Sequence, residues 1–458
     1  MATAQETTPI LGHSQGNSSW TNFKKNGLLK TVIAVCVLGA VLGGGWAIFH
    51  WGELPGEFGR DFSSLEGYCK DTLPIQPGEY VERQKRLAKV LKDENAGALV
   101  VEPGPTMTYY TNIAWSLTER PFLVVLRLDD ELPSGINMTI VTPMFEATRA
   151  LEALKRANLS EEIQPSVIEW VEDGSPYKAV KKALGGANEG TVFVDKDIRM
   201  FIFDGIDDVS NEIKVKMAPR SIRTLRMVKS SAEIDILRCA NHATLAALQL
   251  VRTYVQPGMV ESEITKMMTD ALETAGLDET WVLALVDENA AFPHGEPGIQ
   301  RTVTENSTVL IDTGGRLLGY QADVTRTFFL SERGHNQTIE DAWYSVRRAQ
   351  ENVLNRSNSG DSCAEVDLYA RRVIEKAGFG QFFTHRLGHG IGEEMHEEPY
   401  MNQGNHEQHL SPGMTFSVEP GIYITGEFGI RLEDIVVVNQ EGKLEVLTSG
   451  LAQNPWSL

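Results

Sequence analysis

The sequence predicts an α/β domain followed by an α+β domain, with one transmembrane helix ahead of both. Between residues 77 and 222, short apolar runs alternate with segments of helical spacing, which is typical of a largely parallel sheet with crossover helices. From residue 223, helical segments come first, and β-rich sequence with glycine turns follows from about 281. Near the start, residues 31–49 form an apolar run without a charge.

The composition is that of a folded protein with enough material for sizeable cores. The chain has 458 residues, 42% of them hydrophobic and 23% charged, which suggests two or three domains. The formal net charge of −20 argues against a nucleic-acid partner, which would require a basic face. It fits an acidic soluble body, or carboxylates gathered around cations.

The apolar run TVIAVCVLGAVLGGGWAIF, residues 31–49, is long enough to cross a bilayer. Three lysines precede it and two glutamates follow it, so the positive-inside rule places the N-terminus in the cytoplasm and the body in a lumen or outside the cell. Residues 1–30 are predicted to be a disordered cytoplasmic tail, and residues 50–76 a linker. The segment ETTPIL loosely resembles a sorting signal for a vacuole or lysosome. A cleaved signal peptide is less compatible with the long polar stretch before the run, and a buried core helix is the other alternative.

Sequons for N-glycosylation give this topology mild support, because a luminal body would carry them as a glycoprotein. Five of them follow the apolar run, at Asn137, Asn158, Asn306, Asn336 and Asn355.

Four cysteines, Cys36, Cys69, Cys239 and Cys363, form no CxxC pair, which excludes a zinc ribbon or a thioredoxin-type motif. Since Cys36 lies in the apolar run, at most one disulfide can form among the other three. The sequence does not say which, and we treat all four as structural or free thiols.

The predicted α/β domain, residues 77–222, opens with EYVERQKRLAKVLKDE, whose apolar positions have helical spacing. The buried strand AGALVVEP follows. Further strands are predicted at PFLVVLRL, NMTIVTP, SVIEWV and TVFVDK, with helices at 145–157 and 176–184.

The second domain, residues 223–458, opens with a long helical segment. Ser230 or Ser231 is a candidate cap for this helix, with Glu233 as the returning acid of a capping box. The segment PGMVESEITKMMTDALETAG predicts another helix, with a Pro-Gly entry and a glycine exit.

Acidic residues recur at β-rich positions of this domain. Asp312 ends TVLID and Asp323 begins ADVTRTFFL, and the glycine-containing connection between these runs predicts a hairpin. Glu419 ends the apolar strand MTFSVE, while Arg431 and Glu433 share one face of IRLEDIVVV. Two facing acids repel each other unless a cation lies between them, although each acid taken alone is more often a solvated loop residue.

The stretch RLGHGIGEEMHEEP carries His389 and His396, with glycines around the first histidine and glutamates around the second. The glycines are expected to let the backbone pass close to a metal and to supply positive φ. A dinucleotide loop would need another glycine spacing, and neither HExxH nor GxSxG occurs. Four carboxylates and one histidine instead suit two divalent cations, with Mn(II) preferred and Fe(II), Co(II) or Zn(II) as the alternatives.

The ordered set PHG, IDTGG…GYQADVTRTF, HRLGHGIG…HEEP, SVEPGIY and IRLEDIV resembles the pita-bread metallopeptidase family. That family includes aminopeptidase P, prolidase, methionine aminopeptidase and creatinase. The catalytic resemblance covers roughly 225–447, and residues of about 77–222 resemble the creatinase-type N-terminal domain. Because both domains are present, the resemblance favours the Xaa-Pro peptidase branch.

The resemblance implies a ligand set for two metal ions. Asp312 would chelate one ion and Asp323 would bridge both, while His389 and Glu419 would bind the other ion and Glu433 would bridge. All five positions hold residues that can ligate a metal.

Catalytic roles are implied in the same way. Glu419 would accept a proton from the attacking water and return it to the leaving nitrogen. His294 and His396 would steady the substrate carbonyl and the tetrahedral intermediate.

The resemblance also implies a substrate site. His385 and Arg431 would lie near the proline side of the scissile bond, and Tyr423 would add a hydrogen bond. Glu393 departs from the family pattern, since many relatives carry an apolar residue there, and it is expected to alter the charge of the pocket.

The function predicted is therefore metal-dependent hydrolysis of Xaa-Pro bonds in dipeptides or short peptides. The alternative keeps the fold but acts on a small non-peptide molecule, as creatinase-, ectoine hydrolase- or sulfonium lyase-like relatives do. A binding protein without activity would be expected to have lost the ligands. The sequence leaves open whether a homodimer forms.

Overall fold

The computed structural model describes residues 60–185, 190–210, 213–295, 300–332, 334 and 336–457. The predicted tail and transmembrane run, residues 1–30 and 31–49, lie outside these ranges. Within them, no helix combines the length and the apolar composition that crossing a membrane requires.

The first part of the described chain alternates helices and strands because its apolar positions switch between helical and strand spacing. Its helices are α1 Pro77–Asp93, α2 Pro105–Thr111, α3 Ala147–Ala157, α4 Pro176–Ala183 and α5 Met200–Ser210. Its strands are β1 Ala96–Val101, β2 Leu123–Leu128, β3 Ile136–Pro143, β4 Ser166–Trp170, β5 Gly190–Val194 and β6 Ile213–Met217.

These strands form one sheet in the order β4-β3-β2-β1-β5-β6. Strands β1, β5 and β6 pair in parallel, as do β3 and β4, whereas β2 is antiparallel to both of its neighbours. The reversal follows from the short connection between β2 and β3, which is too short for a crossover helix and therefore makes a hairpin. The largely parallel sheet that the alternation predicts thus contains one reversed strand.

Successive residues of each central strand point to opposite faces of the sheet. Because both sets of residues are apolar, helices cover both faces. In β1, Leu99 and Val101 pack with α1 and α3, while Ala98 and Val100 pack with α4 and α5. The buried strands read as continuous apolar runs for this reason.

A helix that joins the two parts, α6 Arg220–Met227, leads into a second set of elements. Its helices are α7 Ser231–Tyr254, α8 Glu261–Thr274, α9 Gln337–Arg356 and α10 Cys363–Lys376. Its first strands are β7 Asp278–Val286, β8 Thr308–Leu317, β9 Tyr320–Gln321 and β10 Val324–Phe329. The later strands are β11 Gly388–Gly390, β12 Glu397–Met401, β13 Thr415–Val418, β14 Gly421–Ile424, β15 Phe428–Arg431, β16 Asp434–Val438 and β17 Leu444–Val446.

Two sheets of this part carry the later site. One has the order β10-β8-β7 with β9 beside β8, and the other the order β12-β11-β13-β16-β17. The predicted hairpin is confirmed, because β8 and β10 pair antiparallel with Asp312 opposite Thr325. Strands β14 and β15 form a separate two-stranded hairpin.

The helix that starts the second part begins as the sequence predicts. Ser230 is the N-cap of α7, its hydroxyl accepts from the Glu233 backbone N–H, and the Glu233 carboxylate accepts from the Ser230 backbone N–H. This capping box satisfies two backbone donors that the first turn would otherwise leave free.

One disulfide ties the segment before α1 to α7. Cys69 and Cys239 are bonded across 170 residues of sequence, and Cys363 is a buried free thiol. Treating every cysteine as a thiol was therefore wrong for this pair, because only the fold brings their Cα atoms to 5.9 Å. Phe62 and Leu65, close before Cys69, are buried in the same core as α7 and α8.

We predict that Cys69→Ala lowers the free energy of unfolding by about 2–5 kcal/mol, because the disulfide closes a long loop in the unfolded chain. Chemical denaturation monitored by circular dichroism measures the change. A reducing agent should lower the stability of the wild type to that of the variant and leave the variant unaffected. Equal stability of the two proteins under oxidising conditions would contradict this prediction.

Candidate active site

The residues predicted as metal ligands come from five different positions around the junction of the two sheets. Asp312 lies inside β8, Asp323 immediately precedes β10, and His389 is the central residue of β11. Glu419 directly follows β13, and Glu433 lies between β15 and β16. Two placements differ from those expected, since Asp312 is not at a strand end and Glu433 is not inside a continuous strand.

These five side chains converge. The ligand atoms of Asp312, Asp323 and Glu433 lie within 4.8 Å of one another, as do those of His389, Glu419 and Glu433. His389 Nε2 lies 3.6 Å from Asp323 Oδ2 and 3.4 Å from Glu419 Oε1. Residues that are up to 121 positions apart in sequence, Asp312 and Glu433, therefore share one site.

Most of the acids are held at the cost of electrostatic repulsion. Burial, followed by the neighbouring carboxylates, raises the pKa of Asp323 and of Glu433 well above the usual range. Burial also raises the pKa of Glu419 to about 7. Asp323 Oδ1 and Glu433 Oε1 are buried and accept no hydrogen bond. Buried oxygen atoms without partners, beside a neutral imidazole, are the donor set that a divalent cation binds.

His389 is oriented to serve as a ligand. Its Nδ1 lies 3.1 Å from the carbonyl of Gly390, so Nδ1–H donates there and the lone pair of Nε2 faces the acids. Burial and the neighbouring His396 lower the pKa of His389 to about 3, which keeps the ring neutral. The Ser417 hydroxyl accepts from the His389 backbone N–H and donates to Glu419 Oε1, so one hydroxyl orients both residues.

Arg431 is a cation in direct contact with these acids. Its Nη2 donates to Asp312 Oδ2 at 2.5 Å, its Nε donates to the Thr325 hydroxyl at 3.1 Å, and its Nη1 donates to the Tyr423 hydroxyl at 2.9 Å. The Thr325 hydroxyl also lies 2.6 Å from Glu433 Oε2. A single arginine cannot balance four carboxylates, so the site has room for further positive charge.

The predicted substrate-binding residues form a hydrogen-bonded chain. Tyr423 OH accepts from Arg431 and lies 2.9 Å from His385 Nε2, and His385 Nδ1 lies 2.6 Å from the Arg386 carbonyl. His385 Nδ1–H therefore donates to that carbonyl, and Nε2 accepts from Tyr423. Burial, with Arg431 nearby, lowers the pKa of His385 to about 3, so this histidine is neutral.

One open cavity of about 610 Å³ contains nearly all of these predicted residues. Only Tyr423 is not on its wall, since it is buried behind His385 and Arg431. The predicted residues on the wall are His294, Asp312, Asp323, His385, His389, His396, Glu419, Arg431 and Glu433.

Sequence reasoning missed several residues of the cavity. Trp281 and Leu283 of β7 and the nearby Arg386 and Met395 also line it. The signal for the first two was available, because they are two apart on one face of a strand that pairs with β8, where Leu283 lies opposite Asp312. Nothing in the local sequence distinguishes Met395 from a core methionine.

The glycines near His389 have a different role from the one expected. None of Gly388, Gly390 and Gly392 has positive φ. A Cβ atom at Gly388 would lie 1.9 Å from the Ser417 carbonyl oxygen, and one at Gly390 would lie 2.4 Å from the Glu398 carbonyl oxygen. Gly388 and Gly390 thus allow β11 to pack tightly against neighbouring backbone.

The glutamates around His396 do not face the cavity. Glu397 forms ion pairs with Arg226 at 2.7 Å and with Lys229 at 2.5 Å, and Glu394 pairs with Arg226. Glu398 pairs with Arg223 at 2.8 Å in the same way, so the acidic turn is held to α6 and the residues after it.

Glu393 lies outside the cavity as well. It is buried and faces Arg83 of α1, with Arg83 Nη1 3.6 Å from Glu393 Oε1. The expectation that Glu393 changes the charge of the pocket is wrong, because its side chain is directed toward the first domain.

Known proteins share this fold and site region. Residues 235–440 match metallopeptidase family M24. An uncharacterised peptidase of Schizosaccharomyces pombe is 36% identical over 395 residues, which cover 84% of this chain and 85% of that protein. A probable dipeptidase PepE of Mycobacterium bovis is 32% identical over 369 residues, which cover 80% of this chain and 94% of that protein.

Solved structures of peptidases resemble this chain as well. The crystal structure of dipeptidase PepE from Mycobacterium ulcerans has a TM-score of 0.74 and 29% identity, covering 84% of this chain and 99% of that chain. A prolidase from Thermococcus sibiricus has a TM-score of 0.71 and 26% identity, covering 83% and 99%. These matches confirm the pita-bread fold with its N-terminal domain and the activity class of peptidase. The family generally uses divalent metal ions. The chain belongs to metallopeptidase family M24.

Proposed function

We propose that the protein hydrolyses Xaa-Pro bonds in dipeptides or short peptides with the help of two divalent metal ions. The main support for this proposal is that five side chains converge on one open cavity: Asp312, Asp323, His389, Glu419 and Glu433. The relatives named dipeptidase PepE and prolidase support a short peptide as the substrate.

The five convergent residues would hold the ions, with Asp323 and Glu433 shared between them. The unpartnered oxygens of these two acids support that assignment. When bound, the ions supply the positive charge that activates a water molecule and polarises the scissile carbonyl. We propose Mn(II), with Co(II), Fe(II) or Zn(II) as alternatives, because oxygen donors with one imidazole suit these ions.

Glu419 is proposed to transfer the proton. Burial raises its pKa to about 7 in the metal-free site, and its carboxylate lies beside His389, where it can accept a proton from a water molecule and release it again. The Ser417 hydroxyl, 3.2 Å from Oε1, holds the carboxylate in place. Glu419 then donates the proton to the nitrogen of the leaving proline.

Two histidines would act on the substrate carbonyl. His294 and His396 are exposed on the wall of the cavity, and the rings of His396 and His389 lie 4.1 Å apart edge to face. Their N–H groups would donate to the oxygen on which negative charge develops during attack.

The chain His385–Tyr423–Arg431 would shape the proline side of the site. Its members are locked by hydrogen bonds to one another and to backbone carbonyls, so a substrate meets a rigid wall. Rigid groups position a substrate at little entropic cost, which favours catalysis.

We predict that purified protein with Mn(II) cleaves the Xaa-Pro bond in a panel of Xaa-Pro dipeptides and Xaa-Pro-Yaa tripeptides, releasing the N-terminal residue together with proline or the dipeptide Pro-Yaa. Glu419→Gln should lower kcat about 100- to 10,000-fold, because it removes the proton acceptor. Glu407→Gln, an exposed glutamate that pairs with Arg220, is the matched control and should retain activity. The mass of the active species in solution shows whether the protein forms a homodimer.

Lack of Xaa-Pro bond cleavage in every dipeptide and tripeptide, by protein that contains its full complement of metal, would reject the proposed function. Turnover of creatine-type amides or sulfonium acids without peptide turnover would instead favour the small-molecule alternative.

The raised pKa values predict how pH acts on the metal-free protein. The folded protein keeps protons on Asp323, Glu419 and Glu433 at a pH where the unfolded chain has lost them. Acid therefore stabilises the folded state. Its stability therefore falls as the pH rises from about 4.5, the usual pKa of a glutamate, through 7. Mn(II) should raise the melting temperature more at pH 8 than at pH 5.

Differential scanning fluorimetry of metal-free and Mn(II)-loaded protein across this pH range measures the effect. Asp323→Asn is the control, since it removes one of the repelling charges and should reduce both the pH dependence and the response to Mn(II). A metal-free protein that gains stability between pH 5 and pH 8 would contradict the prediction.

For the membrane anchor, we propose that residues 31–49 span a bilayer once, with the N-terminus cytoplasmic and the enzyme body luminal or extracellular, a vacuole included. The disulfide between Cys69 and Cys239 supports an oxidising compartment for the body. The sequon residues Asn158, Asn306, Asn336 and Asn355 are exposed, as glycan acceptors must be.

We predict that the full chain expressed in eukaryotic cells stays in the membrane pellet after carbonate extraction and shifts in mass on endoglycosidase treatment. Deletion of residues 31–49 should release an unglycosylated soluble protein. A full chain recovered in the soluble fraction without glycans would contradict the proposed anchor and topology.

A further inference from the structure

Arg83 of α1 reaches from the first domain into the second and lies at the centre of a buried polar cluster. The side chain is 1% exposed, although arginine is rarely buried to this extent. Three carboxylates surround it: Nη2 lies 3.3 Å from Glu233 Oε1, Nε lies 3.5 Å from Glu79 Oε1, and Nη1 lies 3.6 Å from Glu393 Oε1.

The guanidinium also donates two hydrogen bonds with ordinary donor–acceptor distances. Nη1 donates to the backbone carbonyl of Tyr109 at 2.9 Å, and Nη2 donates to the hydroxyl of Tyr320 at 2.9 Å. The Tyr320 hydroxyl in turn donates to Glu233 Oε1 at 3.0 Å. Burial by itself lowers the pKa of Arg83, but Glu233 and the tyrosines outweigh burial and raise it, so the group stays charged.

Two of these partners belong to the segments that carry predicted metal ligands. Tyr320 precedes Asp323 by three residues, and Glu393 follows His389 by four and precedes His396 by three. The two segments are joined directly, because the Gln321 N–H donates to the Gly392 carbonyl at 2.8 Å. A guanidinium can hold both segments at once, since its donors point in fixed directions from one planar group.

We propose that Arg83 is a positioning residue that holds the 320–323 and 389–396 segments in the register at which Asp323 and His389 meet. The inference rests on the proposed function of these two residues as metal ligands. Arg83 itself touches neither ion nor substrate, and it acts through Tyr320 and Glu393. The first domain thereby contributes to the metal site of the second.

Loss of the guanidinium would leave Glu233 and Glu393 buried without their shared cation, and such groups move toward water or take up protons. Either response shifts the two segments. Changes in residues that orient metal ligands typically weaken metal binding about 10- to 100-fold. Arg83→Met should therefore weaken binding by an amount in this range, and Arg83→Lys should restore part of the loss because it keeps the charge.

The experiment uses the full chain and measures metal binding without substrate. Isothermal titration with Mn(II), at a temperature where each variant is folded, gives the affinities, and the visible absorption of Co(II)-loaded protein reports the ligand geometry. The expected result is weaker binding and an altered Co(II) spectrum for Arg83→Met, with an intermediate result for Arg83→Lys. Tyr320→Phe, which keeps the other contacts of Arg83, should show the same effects to a smaller extent.

The matched control is Arg199→Met, which removes an ion pair with Glu102 at 2.8 Å in the same first domain but contacts neither segment. It should lower thermal stability and leave Mn(II) affinity and the Co(II) spectrum unchanged. An Arg199→Met variant with metal binding as weak as that of Arg83→Met would overturn the inference, because any destabilisation of the domain would then suffice.

Folded Arg83→Met with wild-type affinity and spectrum would overturn the inference too. Should Arg83→Met fail to fold, Tyr320→Phe decides: unchanged metal binding overturns the inference, and weakened binding with an altered spectrum supports it. A wild-type chain that binds no divalent metal would contradict both the proposed function and this inference. Wild type and Arg83→Met that bind metal equally well would contradict the inference alone.

Discussion

Four carboxylates converge in one largely buried site, and the surrounding structure must hold them there. Asp312, Asp323, Glu419 and Glu433 repel one another, and burial strengthens that repulsion because little solvent remains to screen it. Arg431 offsets part of the charge through Asp312. A chain would not keep such an arrangement for its own stability, so the site is best explained by cations that complete it.

Holding repelling groups together requires a rigid surround, and the fold provides it by hydrogen bonds and close backbone packing. Thr325 and Ser417, each two residues from an acidic ligand, face the same site and orient the carboxylates. Gly388 and Gly390 let β11 approach its neighbours where any side chain would collide. The same surround fixes the tautomers of His385 and His389, whose Nδ1 atoms are tied to backbone carbonyls.

The first domain is part of this surround rather than an appendage. Glu394, Glu397 and Glu398 bind cations of the joining region, Arg226, Lys229 and Arg223, and Glu393 faces Arg83. The acidic turn after His389 is therefore held by ion pairs to the joining region and, through Glu393, to the first domain. Such pairs cost desolvation energy when buried, so they are weak evidence for stability.

An N-terminal domain ahead of the pita-bread fold, a capping box at Ser230 or Ser231, the β8–β10 hairpin and the side chains that meet in the cavity could all be predicted from the sequence, because period, cap and motif are local signals. The pairing of Cys69 with Cys239, the reversed strand β2 and the direction of the Glu393 side chain could not be predicted, since each depends on segments that meet only in the folded chain. Nothing near Arg83 in sequence marks it as a partner of Tyr320, 237 residues away. The physical reason is the same in each case: burial, partner and orientation are properties of groups that become neighbours only when distant segments pack together.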